Sequence, residues 1–257
     1  MREVKTSFCS ASERNSAITS TSLLAASNVL ARECSIAILA GTTSAIKVLR
    51  LNLGEVIKIS DGVKKWVSGP IIEISKKVLT ISVSEKGEFE EKKPELVLVQ
   101  AVTKSDRNKE MLELVIESGV DRIIPWQAER SISKWQSDSA QKWEIGIKEA
   151  CKQARQIRLP KLMPMLTTAG VVQLLNKDAQ AIVFHESAGE KFAQLQLAQS
   201  LTSIFLIIGP EGGISPNELS IFENSGGKVV RLGETVLRSA HAGFAAISAV
   251  QTKLGRW

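Results

Sequence analysis

The residues best suited to chemistry lie in one glycine-rich run, Ile208-Gly209-Pro210-Glu211-Gly212-Gly213-Ile214-Ser215-Pro216-Asn217-Glu218. It follows the most apolar stretch of the chain, residues 204–208, and its end reads as a capping box, Ser215 to Glu218 with Pro216 at the first helical position. Strand, tight loop and helix start in that order put backbone N–H and C=O groups at the carboxyl end of a strand, where open α/β sheets bind ligands. One glycine would merely allow a turn; Gly209, Gly212 and Gly213 around Glu211 are read as a ligand loop. The run has neither a Walker lysine nor GxGxxG spacing, so nucleoside triphosphates and Rossmann-bound dinucleotides are poor candidates. A second strand–loop–helix segment runs from Arg231 through Leu232, Gly233, Val236, Leu237 and Arg238 to His241, a natural neighbour of the first.

A third concentration is basic. The chain of 257 residues carries a formal net charge of +6, and the window from Lys142 to Lys161 holds six basic and two acidic residues. At about 100° per residue, Lys148, Lys152 and Arg155 gather on one side of a helix, with Arg158 beyond. Trp143, Ile147, Ala150, Cys151, Ala154 and Ile157 fall on the other side. Such a cationic face suits a phosphate backbone, and Cys151 on the apolar face reads as packing. The five tryptophans form no stacking array in sequence. Cys9, Cys34 and Cys151 are far apart, and His185 and His241 are the only histidines, so neither a disulfide framework nor a metal site is expected. No apolar run approaches the ~20 residues of a membrane span.

The elements that must position these groups have two rhythms. Residues 34–85 read as short strands: 35–39, 55–60 before a turn at Asp61-Gly62, and 71–74 and 78–83 after a second turn at Gly69-Pro70, with one helical turn at 45–51. This predicts a small β-rich domain over 31–85 and a charged linker over 86–94. From residue 95 apolar strands (96–102, 122–125, 181–184, 204–208, 228–232) alternate with helical patterns (108–118, 139–157, 191–199, from Pro216, 239–254). Strands apolar throughout, alternating with helices, imply an α/β domain with a parallel sheet covered on both faces, residues 95–257. Residues 1–30 are Ser-rich and interrupt their apolar part with Ser, Thr and Asn. They read as a poorly ordered leader rather than a signal peptide, and a reducing cytoplasmic setting is expected.

Gly209-Pro210-Glu211-Gly212-Gly213-Ile214-Ser215 with Glu218, followed by Leu232-Gly233 and Val236-Leu237-Arg238, resembles the C-terminal signature of the RsmE family. Those are SPOUT-class methyltransferases that use S-adenosylmethionine to methylate uridine N3 in 16S ribosomal RNA. The resemblance extends upstream through Glu117-Ser118-Gly119-Val120, Ile124-Pro125, Glu129-Arg130-Ser131, Lys142-Trp143, Leu159-Pro160 and Phe184-His185-Glu186. Val48-Leu49-Arg50-Leu51, Gly54-Glu55 and Asp61-Gly62 are similar to that family's PUA-like RNA-binding domain. Roughly residues 35–257 are covered.

The resemblance implies a trefoil-knotted parallel-sheet domain, a homodimer through the knotted domain, and the small ribosomal subunit or its 16S RNA as partner. It implies that S-adenosylmethionine is bound by Phe184, His185 and Glu186, by Ile208 to Gly213, and by Leu232, Gly233, Val236, Leu237 and Arg238. Uridine N3 is a poor nucleophile until it loses its proton, so the site needs a base or groups that stabilise the uracil anion. Glu211 is the candidate base, with loop organiser as its alternative role. Arg238 is the candidate for the uracil oxygens or a phosphate, with an ordinary ion pair as its alternative. His241 is read as a packing residue. Lys47, Arg50, Arg130, Lys148, Lys152, Arg155 and Arg158 are the candidate RNA contacts. Two departures stand out: Ser239-Ala240-His241-Ala242 replaces the family's usual Thr-Glu-Thr-Ala, and Gln156 stands where arginine is common. They keep open an assembly factor that binds RNA without catalysis; a related SPOUT enzyme acting on ribose 2′-OH or a tRNA base is a second alternative, against which the PUA-like leader and the ordered upstream motifs argue.

Overall fold

Two rhythms in the sequence become two sheets. The computed structural model describes residues 35–39, 51–75, 78–154, 156, 158–198 and 200–257. The described residues up to Glu90, with those of 151–159, form one unit, and Glu91–Ala150 with Pro160–Trp257 form the other. The leader (1–30) and the helical turn expected at 45–51, Leu51 apart, lie outside the described residues.

In the first unit β1 (Ser35–Leu39), β2 (Val56–Ser60), β3 (Lys65–Ile74) and β4 (Val78–Ser82) pair antiparallel in the order β1-β4-β3-β2. Ile57, Ile59, Ile71, Leu79 and Ile81 fill its core with Leu51 and Val67. The Asp61-Gly62 turn forms as expected. The Asp61 carboxylate accepts the N–H groups of Val63, Lys64 and Lys65 at 2.8–3.0 Å, and Gly62 has φ +75°. Gly69-Pro70 is not a turn. β3 runs straight through it, because Pro70 sits at the end of the β2 ladder opposite Val56 and Gly69 lets the β4 backbone close in. A Cβ on Gly69 would lie 1.7 Å from the Ser82 carbonyl oxygen. The stretch expected as a linker begins as β5 (Glu85–Glu88), which pairs with β3 and lays Gly87 against Trp66.

The second unit is a six-stranded sheet, every pair parallel. Its strands are β6 (Glu95–Ala101), β7 (Arg122–Trp126), β8 (Lys161–Leu162), β9 (Ala179–Phe184), β10 (Ser203–Ile208) and β11 (Lys228–Val230), in the order β11-β9-β10-β6-β7-β8. Side chains alternate between two dry faces. Val97, Val99, Ala101, Phe205 and Ile207 share one core with Trp126 and Phe222, whose rings meet edge-on at 5.4 Å. The other face packs beneath helix α1 (Ser105–Glu117), which ends at Gly119 (φ +84°), and the C-terminal helix. There a Cβ at Gly243 would touch Val115, Leu98 and Gln100. α2 (Ser139–Gln153) and the short α3 (Thr168–Val172) precede β9; α4 (Pro216–Asn224) and α5 (Ser239–Lys253) flank β11.

Two helical expectations change. α2 stops at Gln153, not 157, and the Gln156 N–H closes back on the Cys151 carbonyl at 3.0 Å. The pattern at 191–199 yields a single 3₁₀ turn, Phe192–Gln194. Phe192 and Leu195 are buried at helix-like spacing, but Lys253 Nζ takes the carbonyls of Ala193 and Leu195, both at 3.0 Å. Trp135 and Trp143 meet edge-on at 5.2 Å, a pairing the sequence spacing did not show.

Gly69→Ala should destabilise the first unit by about 3 kcal/mol, the upper end for an overpacked core site. Hydrogen exchange should show protection lost in β3 and β4 and retained in β6 and β10.

Candidate functional site

The strand order fixes where a ligand belongs. From β6 the chain runs to β7 and β8 on one side, while β10, β9 and β11 lie on the other. The crevice between the carboxyl ends of β6 and β10 is therefore a topological switch point. An open cleft of about 570 Å³ lies there, lined by Phe184, His185 and Glu186 after β9, by residues 208–211, 213 and 214 after β10, and by residues 236–240 and Ala242 after β11. Sequence reasoning named most of this lining. It missed Lys104 and Arg107 after β6, Ile132 after β7, and Ile214, Ser239, Ala240 and Ala242.

The glycine loop is held from three directions. Gly213 has φ +73° and donates its N–H to Pro210 O at 2.9 Å, closing the turn. Ser239 Oγ donates to Gly209 O at 2.7 Å and accepts from Gln100 Nε2 at 3.0 Å, tying β6, the loop and α5 together. The third tie is Glu218, fully buried. The capping box expected there is complete: Ser215 Oγ accepts the Glu218 N–H and the Glu218 carboxylate accepts the Ser215 N–H. That carboxylate also accepts the Glu129 N–H at 3.0 Å and the Thr168 hydroxyl at 2.8 Å. Glu218 thus organises the loop, the alternative role considered for Glu211. Glu211 is exposed and lines the cleft.

Gly212 does not line the cleft: a Cβ there would lie 3.0 Å from the Arg130 carbonyl oxygen, so its missing side chain admits the loop after β7. Arg130, expected at RNA, points Nη1 toward Gly212 O at 3.4 Å, though its side chain is exposed. Leu232 and Gly233, expected at the cofactor, do not line the cleft either. They lie in a connection braced by Glu234, which pairs with Lys191 at 3.2 Å and Arg231 at 3.6 Å. The Lys191 hydrogen bond, then the Arg231 charge, hold the Glu234 carboxyl below its usual range.

His241 is not a packing residue. It is half-exposed, and Nε2 meets Glu110 Oε1 at 2.9 Å. That hydrogen bond, followed by the charges of His241, Arg107 and Arg238, holds Glu110 below the usual carboxylate range. Arg238 lines the cleft, exposed, at the N-cap of α5, and Lys104 holds the same position at α1. The cleft therefore has Lys104, Arg107 and Arg238 on one side and Glu186 and Glu211 on the other loops.

The remaining cationic candidates lie elsewhere. Lys148 and Lys152 are half-buried on α2, Arg158 follows it, and Trp143, Ile147, Ala150 and Cys151 are buried as expected. Lys47, Arg50 and Arg155 lie outside the described residues. A second hollow of about 760 Å³ borders α1 and α2 beside Trp135 and Trp143, where Lys109, Lys134 and Lys142 are balanced by Glu113, Asp138 and Glu149. It lacks the convergent loops of the first. Among the described residues there is no group of three His, Cys, Asp or Glu side chains that could hold a metal, and no helix long and apolar enough to cross a membrane.

The chain and its fold are similar to known proteins. A family model described as an RNA methyltransferase domain matches residues 90–251. Ribosomal RNA small subunit methyltransferase E of Mycobacterium bovis is 33% identical over 221 residues, covering 83% of this chain and 84% of that protein. The protein of the same name from Bacillus subtilis is 27% identical over 224 residues, covering 82% and 88%. Among solved structures, a ribosomal RNA small subunit methyltransferase E from Neisseria gonorrhoeae bound to S-adenosyl methionine superposes with a TM-score of 0.77. It is 22% identical and covers 88% of this chain and 94% of that one.

Glu218→Ala should cost at least about 3 kcal/mol, since it strands three donors, and Glu218→Gln should cost roughly half as much, both read by urea denaturation. Glu129 is held below the usual range by hydrogen bonds from Ser215 and Asn217. A depressed carboxylate stabilises above its unfolded pKa, and the contribution disappears as pH falls through the folded one. Amide protection around residues 215–218 should therefore fall with acidification below about pH 4.5, and Glu129→Gln should remove that dependence.

Proposed function

Because the chain belongs to the RNA methyltransferase family that includes ribosomal RNA small subunit methyltransferase E, we propose that it methylates N3 of a uridine in 16S ribosomal RNA, using S-adenosylmethionine. The observation that carries this reading is the cleft itself. The three loops converge at the switch point, on a hollow that combines a glycine-rich backbone with cations and carboxylates.

The lining fits the cofactor. Residues 208–210, Leu237 and Ala240 offer a mixed apolar and backbone surface for an adenosyl group, and Glu186 and Glu211 offer negative charge to a sulfonium. S-adenosylmethionine supplies an electrophilic methyl on positively charged sulfur. The chain's own residues then do three things. The ties from Ser239, Gln100 and Glu218 fix the glycine loop before ligand arrives, which lowers the ordering cost of binding. Glu211, exposed and in no side-chain hydrogen bond to a described residue, is free to take the N3 proton. Arg238 faces the same cleft and stabilises the charge left on the uracil oxygens.

The larger context follows the same reading. The first unit, an antiparallel five-stranded sheet, is read as a PUA-like RNA-binding domain over 31–85, and residues beyond Glu88 as the linker to a SPOUT domain over 95–257. Support for a trefoil knot comes from the return of the chain after edge strand β11 to pack α5 against β6 and β10 beside α1. A homodimer through this region is supported by the half-exposed face of α5, Ala242, Ala245 and Ala249, beside exposed Val236 and Leu237. RNA is proposed to track Lys148, Lys152, Arg155 and Arg158, with Lys47, Arg50 and Arg130 as further contacts.

Incubating 16S RNA or small subunits with protein and labelled cofactor should yield one methyl group at uridine N3 by mass mapping. A methyl group at ribose O2′ would overturn the N3 reading, and no heat of cofactor binding by calorimetry would overturn the enzyme reading. Lys152→Glu with Arg155→Glu should weaken RNA binding about 10-fold or more while leaving cofactor affinity unchanged. Equal loss of both would refute that division.

A further inference from the structure

Resting on the uridine N3 reading, we propose that Lys104, at the N-cap of α1, and Arg107, in its first turn, act with Arg238 to stabilise the N3-deprotonated uracil ring. The three cations come from two helix starts remote in sequence, and all three line the cleft. Arg107 and Arg238 are close enough to the same carboxylate, Glu110, for both to lower its pKa. Glu110 is hydrogen-bonded to His241 at 2.9 Å and forms no close ion pair with either arginine. Among the described side chains none of the three cations is in an ion pair or a side-chain hydrogen bond. Three cations facing one cleft, with no ion-pair partner among the described side chains, call for an anionic ligand.

The cofactor's reactive sulfonium is a poor match for that charge, and its one carboxylate lies at the far end of the methionine chain from the methyl that is transferred. The carboxylates of the cleft, Glu186 and Glu211, come from the β9 and β10 loops instead. The acceptor becomes the anion. Once the N3–H proton passes to a carboxylate or to water, the negative charge spreads over N3 and the two flanking carbonyl oxygens. The N3 lone pair then forms the N–CH₃ bond as the CH₃–S bond breaks, with its electron pair left on sulfur. Proton and charge balance: a cationic methyl donor and neutral uridine give neutral thioether, methylated uridine and one proton. Guanidinium and ammonium groups stabilise the uracil anion before transfer and raise its fraction at neutral pH.

The charged groups around this point are Lys104, Arg107 and Glu110 on α1 and its approach, His185 and Glu186 after β9, Glu211 after β10, and Arg238 and His241 at the start of α5. The discriminating experiment changes the acidity of the substrate rather than the protein alone. After the methylated position is mapped, RNA carrying uridine or the more acidic 5-fluorouridine there is compared for wild type, Arg107→Gln, Arg107→Lys and Lys104→Gln.

Arg107→Gln and Lys104→Gln should each lower kcat/KM on uridine RNA by about 10- to 100-fold and move the rising limb of the pH profile to higher pH. The deficit should shrink to about 3-fold or less on 5-fluorouridine RNA, and Arg107→Lys should recover most of it. Without cofactor, wild-type protein should bind 5-fluorouridine RNA more tightly above the base's N3 pKa than below it. Arg107→Gln should lose that preference. Calorimetry with S-adenosylmethionine should show unchanged affinity. An equal deficit on both RNAs, or a parallel loss of cofactor affinity, would overturn the proposal. The N3 reading itself stands or falls separately, on whether wild-type protein methylates N3.

Discussion

The pairing of β10 with β6 is the constraint on which the site depends. These strands are separated by about a hundred residues, yet their registers run in step from Ser203 opposite Glu95 to Ile208 opposite Gln100. All parallel neighbours must be reached by crossovers, and here the crossovers diverge to opposite sides of this pair. Their carboxyl ends are left open with nothing but loops above them. Gln100 marks the cost. It is fully buried in β6, and its amide nitrogen donates to Ser239, which arrives from the start of α5 and passes a hydrogen bond to Gly209, while Oε1 finds no partner among the described residues. The glycine loop is thus a tertiary object, shaped by a strand before it and a helix after it.

Glu218 extends the same logic to the opposite side of the loop. A buried carboxylate carries a penalty of several kcal/mol unless donors surround it. Here the donors are two backbone N–H groups from separate segments and a hydroxyl that itself accepts the Trp126 indole N–H at 3.1 Å. The connection after β7 is therefore drawn against the glycine loop at Gly212. A missing Cβ that looks like room for a ligand is filled by the protein's own backbone.

Where the physics is local, the sequence was legible. The parallel α/β pattern, the capping box, the Asp61-Gly62 turn, the buried face of α2 and the loops after β10 and β11 follow from periodicity, cap chemistry or loop position, while the loop at Phe184 came from the family resemblance. What was not legible depended on a distant partner. Gly69-Pro70 carries the composition of a turn, but the approach of the Ser82 carbonyl makes it strand. The 191–199 pattern looked helical because Phe192 and Leu195 are three apart, yet a lysine sixty residues on took the carbonyls. Lys104 and Arg107 carried a usable signal, two cations just past the end of an apolar strand. Glycines mark only the β10 strand of the switch point, and nothing in the local pattern ties these two cations to it.

The distribution of charge in the cleft also sets a limit on how strongly the site can act. Methyl transfer from a sulfonium to an anion annihilates charge, so the transition state is less polar than the separated reactants. Cations that gripped the uracil anion too tightly would stabilise the ground state more than the transition state and slow the transfer. Deeply buried cations at low dielectric would do that; Lys104 and Arg238 are exposed and Arg107 half-exposed. Their field is softened by solvent, enough to favour deprotonation but weak enough to release the charge as the new bond forms. Glu110 moderates Arg107 and Arg238 further without engaging either in a close pair. A site built this way gains most of its rate from pre-placed geometry and from a modest shift in substrate acidity. That is why its polar effort goes into holding the loops, with Ser239 and Glu218 buried and hydrogen-bonded beneath them, while the groups that meet the substrate stay open to water.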